Sequence, residues 1–284
     1  MRIFKIESAG VASHGKKVGR ETMGLPMQIM TSNLRFENDR DRENAWSYRK
    51  DLVVEVIAES APGILGTQEG TPGQLAYLQN HLPQYRMQAS GRVWDDACQY
   101  PTLFYQAERF RLLEGGEFWL SKTPSVHRSK DWGSAFPRMV NFGLMEDLET
   151  QSSFWIAVTH LDHLGVAARL EQAKILAEWL GERPGPRILM GDFNDVPDSA
   201  AHQVLTSPKA GLRDTWQVLL RSENETSMTH HNFFGVPQQC RMDWILASRE
   251  FRVLDALVVR SNREGRYPSD HFPYVAALDW EKND

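Results

Sequence analysis

The stretch Ile188-Leu189-Met190-Gly191-Asp192-Phe193-Asn194-Asp195 constrains this chain more than any other. Three large apolar residues running into a glycine read as a buried strand, and the polar residues that follow lie where that strand leaves its sheet. Side chains alternate faces along extended backbone, so Asp192 and Asn194 project to one side and Phe193 to the other. A carboxylate and an amide then meet at one point. The carboxylate can orient a water or help hold a hard cation, and the amide can donate to a phosphoryl oxygen. A strand that ends in an ordinary Asx turn has the same pattern, so the rest of the chain must separate the two readings.

Polar strand tips recur along the whole sequence. Residues 28–36 read as a strand with Asn33 and Arg35 on one face. A short apolar strand at 63–70 delivers Glu69 into a Gly-containing turn. The strand 154–159 runs into Thr159-His160-Leu161-Asp162-His163, where alternation places His160 and Asp162 together. Asp243 sits inside the apolar strand 240–246; an unpaired carboxylate is costly to bury there, so Asp243 needs a partner. Asp270 and His271 lie in the loop before a closing strand at 272–278. Taken singly, each has a bland explanation: a strand-end cap, a solvated acid or a core histidine.

Between these tips, apolar stripes at helical spacing predict helices at 44–58, 75–82 and 166–180, with Val166, Leu170, Ala173, Ala177 and Leu180 on one face of the last. A further short helix is expected at 199–205. Short β segments at 102–105, 110–113 and 117–120 are separated by charged or glycine turns. The loop 121–137 is about as long as a compact domain tolerates unless it covers a site. Lys122, His127, Arg128, Lys130 and Arg138 give it a positive bias that suits either a solvated loop or the rim of a phosphate site. No repeat or Pro/Ser-rich linker divides the chain, so one domain over 28–284 is expected, with residues 1–27 as an N-terminal extension or edge hairpin.

The balance of 41% hydrophobic and 24% charged residues in 284 fills a substantial core. A net charge of -5 argues against a broad cationic surface for duplex DNA, though a local basic groove remains compatible with it. Two cysteines, Cys98 and Cys240, are too few for a disulfide framework or a thiolate metal site and are expected as reduced thiols. No apolar run has signal-peptide or transmembrane length, which predicts a cytoplasmic protein without membrane insertion.

Set in order, Ser-Asn-Leu-Arg, Thr-Gln-Glu-Gly, Thr-His-Leu-Asp-His, Gly-Asp-Phe-Asn-Asp, Arg-Met-Asp-Trp-Ile-Leu and Ser-Asp-His-Phe-Pro resemble the endonuclease/exonuclease/phosphatase superfamily from about Met30 to Leu278. The resemblance implies a four-layer αββα sandwich, two mixed β-sheets face to face with helices outside. It also implies Mg²⁺-dependent hydrolysis of a phosphoester, with Mn²⁺ as a substitute. By motif, Glu69 looks like the principal metal carboxylate, with Asn33 beside it and Asp270 near. Asp192 looks like the group that positions or deprotonates the attacking water, and Asn194 like the amide on the scissile phosphate. His160 resembles a phosphate contact, and Asp243 the carboxylate that orients His271. His163, Arg138 and Lys122 are the candidates for substrate binding.

DNA-repair members carry Asn-x-Asp where this chain has Asn33-Leu34-Arg35. An arginine cannot ligate a cation, which argues against a second metal at that position. Asn-x-Arg resembles the branch that holds deadenylase-like and uncharacterised bacterial members. The expected function is a metal-dependent phosphodiesterase acting on single-stranded nucleic acid, a small phosphorylated molecule or a lipid headgroup. The alternatives are a phosphomonoesterase of the same fold and a binding protein without turnover. No protein partner is implied.

Overall fold

The computed structural model describes residues 25–281. The predicted extension or hairpin at 1–27 lies almost wholly outside the described residues, and the first strand starts at Met27. Among the described residues, twelve strands form two six-stranded sheets. The first has the order β11(Phe251–Val258), β12(Tyr274–Trp280), β1(Met27–Asn33), β2(Ile64–Gly70), β4(Tyr100–Gln106), β3(Tyr85–Gln88). The second runs β5(Phe110–Trp119), β6(Met139–Asp147), β7(Ser152–His160), β8(Arg187–Asp192), β10(Asp243–Ser248), β9(Leu212–Asp214).

Each sheet is mixed in the same way, with one parallel pair at its centre and antiparallel neighbours on both sides. The pairs are β1–β2 and β7–β8. A parallel pair needs a long crossover. Here α1(Trp46–Ser60) and α3(Val166–Gly181) supply it, one for each sheet. The expected four layers follow from how side chains alternate along the central strands. Ile29, Ile64, Ile188, Met190 and Ile245 point inward and share one core between the sheets. Met30 and Leu65 point outward against α1 and α2(Pro72–His81), whose Val53, Ile57 and Leu78 belong to a second core. Leu189, Trp244 and Leu246 point outward on the other side to Ala173, Leu176 and Leu205, on α3 and α4(Ala200–Leu205). Central strands covered on both faces read as continuous apolar runs, which is why Ile188-Leu189-Met190 was legible.

Several boundaries differ from expectation. The segments 110–113 and 117–120 are one strand, β5, with an irregularity between Leu112 and Glu114. Gly115 and Gly116 read as a turn in the sequence, yet they serve close packing. A Cβ at Gly116 would lie 2.8 Å from the Phe142 ring, and one at Gly115 would meet the Gln88 side chain. α2 starts earlier than its apolar stripe because Thr71 and Gln74 form a capping box with Pro72 at the first turn. Val166, placed on the buried stripe of α3, is exposed; Arg169 and Gln172 are buried in its stead and reach back to the loop at Asp162. After α4, two short elements not foreseen from the sequence follow, β9 and α5(Thr215–Val218).

Behind β10, Asp214 is fully buried and accepts from His202 Nε2 and Arg241 Nη2, both at 2.9 Å, while its other oxygen caps α5 through Trp216 N at 2.9 Å. Burial alone would raise the Asp214 pKa, but the His202 hydrogen bond and the Arg241 charge more than offset it and hold the pKa below the ordinary carboxylate range. A depressed native pKa makes the ionised group a source of stability above the ordinary aspartate range, and that stability is lost as pH falls through the depressed value. We expect Asp214→Asn to cost about 2 kcal/mol near neutral pH, because buried Arg241 keeps Glu223 but it and His202 lose their charged hydrogen bonds to Asp214. Urea titrations of both proteins should show this gap narrowing once pH drops below about 4. A gap that stays constant with pH would remove the ionised Asp214 from the account.

Candidate active site

The parallel pair of each sheet ends at the same edge of the sandwich, and the polar tips gather there. Asn33 closes β1, Glu69 is the penultimate residue of β2, His160 closes β7 and Asp192 closes β8. Asp243 opens β10 and faces Asp192 across the antiparallel ladder. Asp270 and His271 precede β12. A cleft of about 340 Å³ lies between these tips and is lined by Arg35, Glu69, Arg138, His160, His163, Asp192, Asn194, His230, Asp270 and His271 among others.

Asp192 is the hub. Its Oδ2 accepts from Asn33 Nδ2 at 3.0 Å and lies 3.4 Å from His160 Nε2 and 3.8 Å from His271 Nε2. Its Oδ1 accepts from Asn194 N at 2.9 Å. Asn194 has a positive φ of 50°, so the strand has already ended. Asp192 and Asn194 therefore meet through an Asx-type turn, not through strand alternation. The plain turn and the functional pair turn out to be the same structure. Asn194 Nδ2 then lies 2.8 Å from His160 Nε2.

The partner that Asp243 needed is His271, whose Nδ1 lies 2.8 Å from Asp243 Oδ2. Burial pulls the His271 pKa down, but the Asp243 and Asp192 charges overcome it and raise the pKa well above the ordinary histidine value, so the ring is an imidazolium. Burial, followed by repulsion from Asp243, pushes Asp192 up to about 7. His160 is pushed far the other way by burial and by the Arg138 and His271 charges, so it is a neutral imidazole. One edge thus holds a carboxylate ready to take a proton near neutral pH, an imidazolium donor and a neutral imidazole.

Glu69 has a left-handed φ of 63°, which turns its side chain back to the β1 end. There its oxygens accept from Asn33 Nδ2 at 3.3 Å and Phe36 N at 3.0 Å. Oxygen donors dominate this edge, and Asp243 Oδ1 is buried with no hydrogen-bond partner. Asp192, Asp243 and His271 each bring one ligand atom within 4.8 Å of the others. The charged His271 ring is a donor and not a ligand, but with Glu69 and Asp270 lining the same cleft the carboxylates make an oxygen-rich edge that fits a hard divalent cation.

Of the three predicted substrate contacts, Arg138 and His163 reach the cleft, with Arg138 Nη2 3.4 Å from His163 Nδ1. Lys122 does not. Its side chain is 66% exposed and its ammonium lies near Asp131 and the Trp132 ring, outside the cleft. Asp162 is also absent from the cleft, although strand alternation grouped it with His160. It is fully buried and accepts from Ser134 Oγ, Ala135 N, Leu164 N and Gly165 N at 2.6 to 3.1 Å. Its role is to pin the end of the loop 121–137 to the start of α3, which sets Phe136 and Arg138 at the cleft wall.

Arg35, His230, Gln99, Phe136 and Gln239 line the cleft without having been singled out as site residues. Arg35 leaves the strand with φ of 52°, makes a bidentate pair with Asp41 at 2.9 Å and lies 3.8 Å from Asp270. It therefore faces the acidic side of the cleft, a place for a counter-charge and not for a ligand. Buried Arg49 on α1 donates to the carbonyls of Leu34, Arg35, Asn44 and Pro268 at 2.5 to 2.9 Å, tying the loop after β1 to the loop that carries Asp270. Arg35, on one face with Asn33, and the adjacent pair His230-His231 carried a sequence signal, but the irregular backbone at each hid which side chain faces the cleft.

A family model described as the Endonuclease/Exonuclease/phosphatase family matches residues 30–271. The chain belongs to this family. Its members hydrolyse phosphoesters and are generally divalent-metal dependent. Among solved structures, an endonuclease/exonuclease/phosphatase family protein from Bacteroides thetaiotaomicron is 29% identical with a TM-score of 0.82, the match covering 90% of this chain and 98% of that one. A mannosyl-6-phosphatase from the same organism is 30% identical with a TM-score of 0.79, covering 89% of this chain and all of the other. TDP2 from D. rerio, complexed with single-strand DNA product, shares the fold at 18% identity and a TM-score of 0.71, covering 89% and 99%. No curated protein matches. No helix among the described residues is long and apolar enough to cross a membrane.

If this edge holds a cation, its converging carboxylates repel one another without it. We expect Mg²⁺ or Mn²⁺ at 100 times its Kd to add about 2.7 kcal/mol of stability, read as a rise in melting temperature. Glu69→Gln should shrink that rise. Equal shifts in the two proteins would take Glu69 out of the metal site.

Proposed function

We propose that the cleft hydrolyses a phosphomonoester on a small phosphorylated molecule, with a hard divalent cation such as Mg²⁺ held by Glu69, Asn33 and Asp270. The observation that carries the reading is Arg138. The residue is 7% exposed, and among the described residues its guanidinium has no carboxylate within ion-pair distance and leaves Nε without a hydrogen bond at the wall of the cleft. A buried cation with no anion is costly, and a substrate phosphate would supply the anion. A volume near 340 Å³ is at the small end of ligand pockets and suits a compact substrate. The likeness at 30% identity to a mannosyl-6-phosphatase also favours a monoester.

In this reading Asp192, poised near 7, takes a proton from the attacking water as the new P–O bond forms and the bond from phosphorus to the ester oxygen breaks, the alcohol leaving with a proton from solvent. His271, held charged by Asp243, donates to a phosphoryl oxygen, as does the Asn194 amide. His160 holds Asn194 in place, and Arg138 with His163 clamps the phosphate. The cation would supply charge for the oxygens that become negative in the transition state.

The phosphodiesterase reading retains one support, the shared fold with a protein that binds single-strand DNA product. A panel of sugar phosphates, inositol phosphates, dinucleotides, single-stranded DNA and RNA, and sphingomyelin, assayed with Mg²⁺ and with chelator, separates the two. We expect chelator-sensitive phosphate release from sugar phosphates. Turnover confined to diesters would replace the monoester reading, and no metal-dependent turnover anywhere would leave a binding protein.

A further inference from the structure

A second set of ligating side chains lies outside the cleft. Asp95 and Cys98 belong to the loop between β3 and β4, where Cys98 N donates to the Asp95 carbonyl at 2.9 Å and closes a tight turn. His127 belongs to the loop between β5 and β6, and its ring stands edge-on to Trp119 with centroids 5.4 Å apart. Asp95, Cys98 and His127 each offer one ligand atom within 4.8 Å of the others, with Asp95 Oδ2 3.3 Å from His127 Nε2. Cys98 is a free thiol. We propose that Asp95, Cys98 and His127 form a site for a soft or borderline divalent cation such as zinc, chemically distinct from the oxygen-lined cleft.

The donor set decides the cation. One sulfur and one imidazole nitrogen with one carboxylate suit zinc and disfavour Mg²⁺, which takes oxygen ligands. Three protein ligands leave a fourth position for water. Binding displaces the Cys98 proton to solvent as the sulfur–metal bond forms, so affinity rises with pH. Arg128 is the competitor. Its Nη1 lies 3.0 Å from Asp95 Oδ2, and being 43% exposed it can swing away when the cation takes that oxygen.

The site would join two loops with no strand ladder between them. The first carries Gln99 to the cleft, and the second leads to Phe136 and Arg138. A cation here would act as a clamp on the cleft wall, independent of which phosphoester is hydrolysed.

Cobalt is the probe, because a thiolate ligand gives it a charge-transfer band that oxygen ligands do not. The full chain is treated with chelator, returned to saturating Mg²⁺ and titrated with Co²⁺, then with Zn²⁺ in competition. We expect one equivalent of Co²⁺ to give the thiolate band and Zn²⁺ to abolish it. Cys98→Ser should lose the band. His127→Ala, at an exposed position, should weaken binding by at least about 100-fold, since loss of an outer partner alone costs 10–100-fold. Arg128→Ala should tighten it, and Cys240→Ser should leave it unchanged. Absence of the band in a wild-type protein with native circular dichroism, or its survival in Cys98→Ser, overturns the proposal.

Discussion

Asp192→Asn is expected to lower kcat by about 10²–10⁴-fold, the usual worth of a positioned general base, with the fold intact. The side chain is buried and isosteric with its replacement, and Asn33, Asn194 and His160 still surround it. The carboxylate is already a disfavoured ion there, since burial and Asp243 push it up to about 7, so neutralising it should not unfold the protein. We expect the melting temperature in chelator to stay level or rise. KM should change little if Asp192 acts on water and not on substrate, whereas Arg138→Ala should raise KM first. A purified Asp192→Asn enzyme with kcat close to wild type would end its role as the base, whatever the metal site proves to be.

Gly191→Ala should be the most damaging conservative change in the chain, costing at least about 4 kcal/mol when overpacking and backbone strain act together. Gly191 has φ of 152°, a conformation that L side chains rarely adopt. A Cβ there would fall on the carbonyl oxygen of Thr159 in the adjacent parallel strand and lie 3.1 Å from the Thr159 nitrogen. Backbone cannot yield as a flexible side chain can, so β7 and β8 would have to part at the edge where His160 and Asp192 sit. Expression, urea midpoint and activity should all fall. Gly91→Ala is the control, because nothing lies within 4 Å of a Cβ there and only the strain of its φ of 74° applies. A Gly191→Ala protein as stable as that control would mean that β7 and β8 are not packed as described.

The sequence by itself determined the central strands and the longer helices, because strands covered on both faces give continuous apolar runs and helices show their stripe, whereas β9 and α5 are too short to show either. It also pointed out the polar tips Asn33, Glu69, His160, Asp192, Asn194, Asp243 and His271 that gather at one edge, and the need for a partner to Asp243. Glycine misled wherever close packing, and not a turn, required it, as in β5. Only the tertiary structure decided which neighbours of those tips belong to the cleft. His160 and Asp162 have equal standing in the sequence, yet one faces Asp192 and the other pins a loop. Lys122 and Arg138 belong to one basic loop, yet the first is solvated and the second buried against the site. The physical reason is that strand ends do not continue strand geometry. Past the last ladder hydrogen bond, positive φ at Arg35 and Asn194 and capping bonds such as those to Asp162 choose the direction of each side chain. Those choices depend on contacts more than a hundred residues away, such as Asn33 with Asp192.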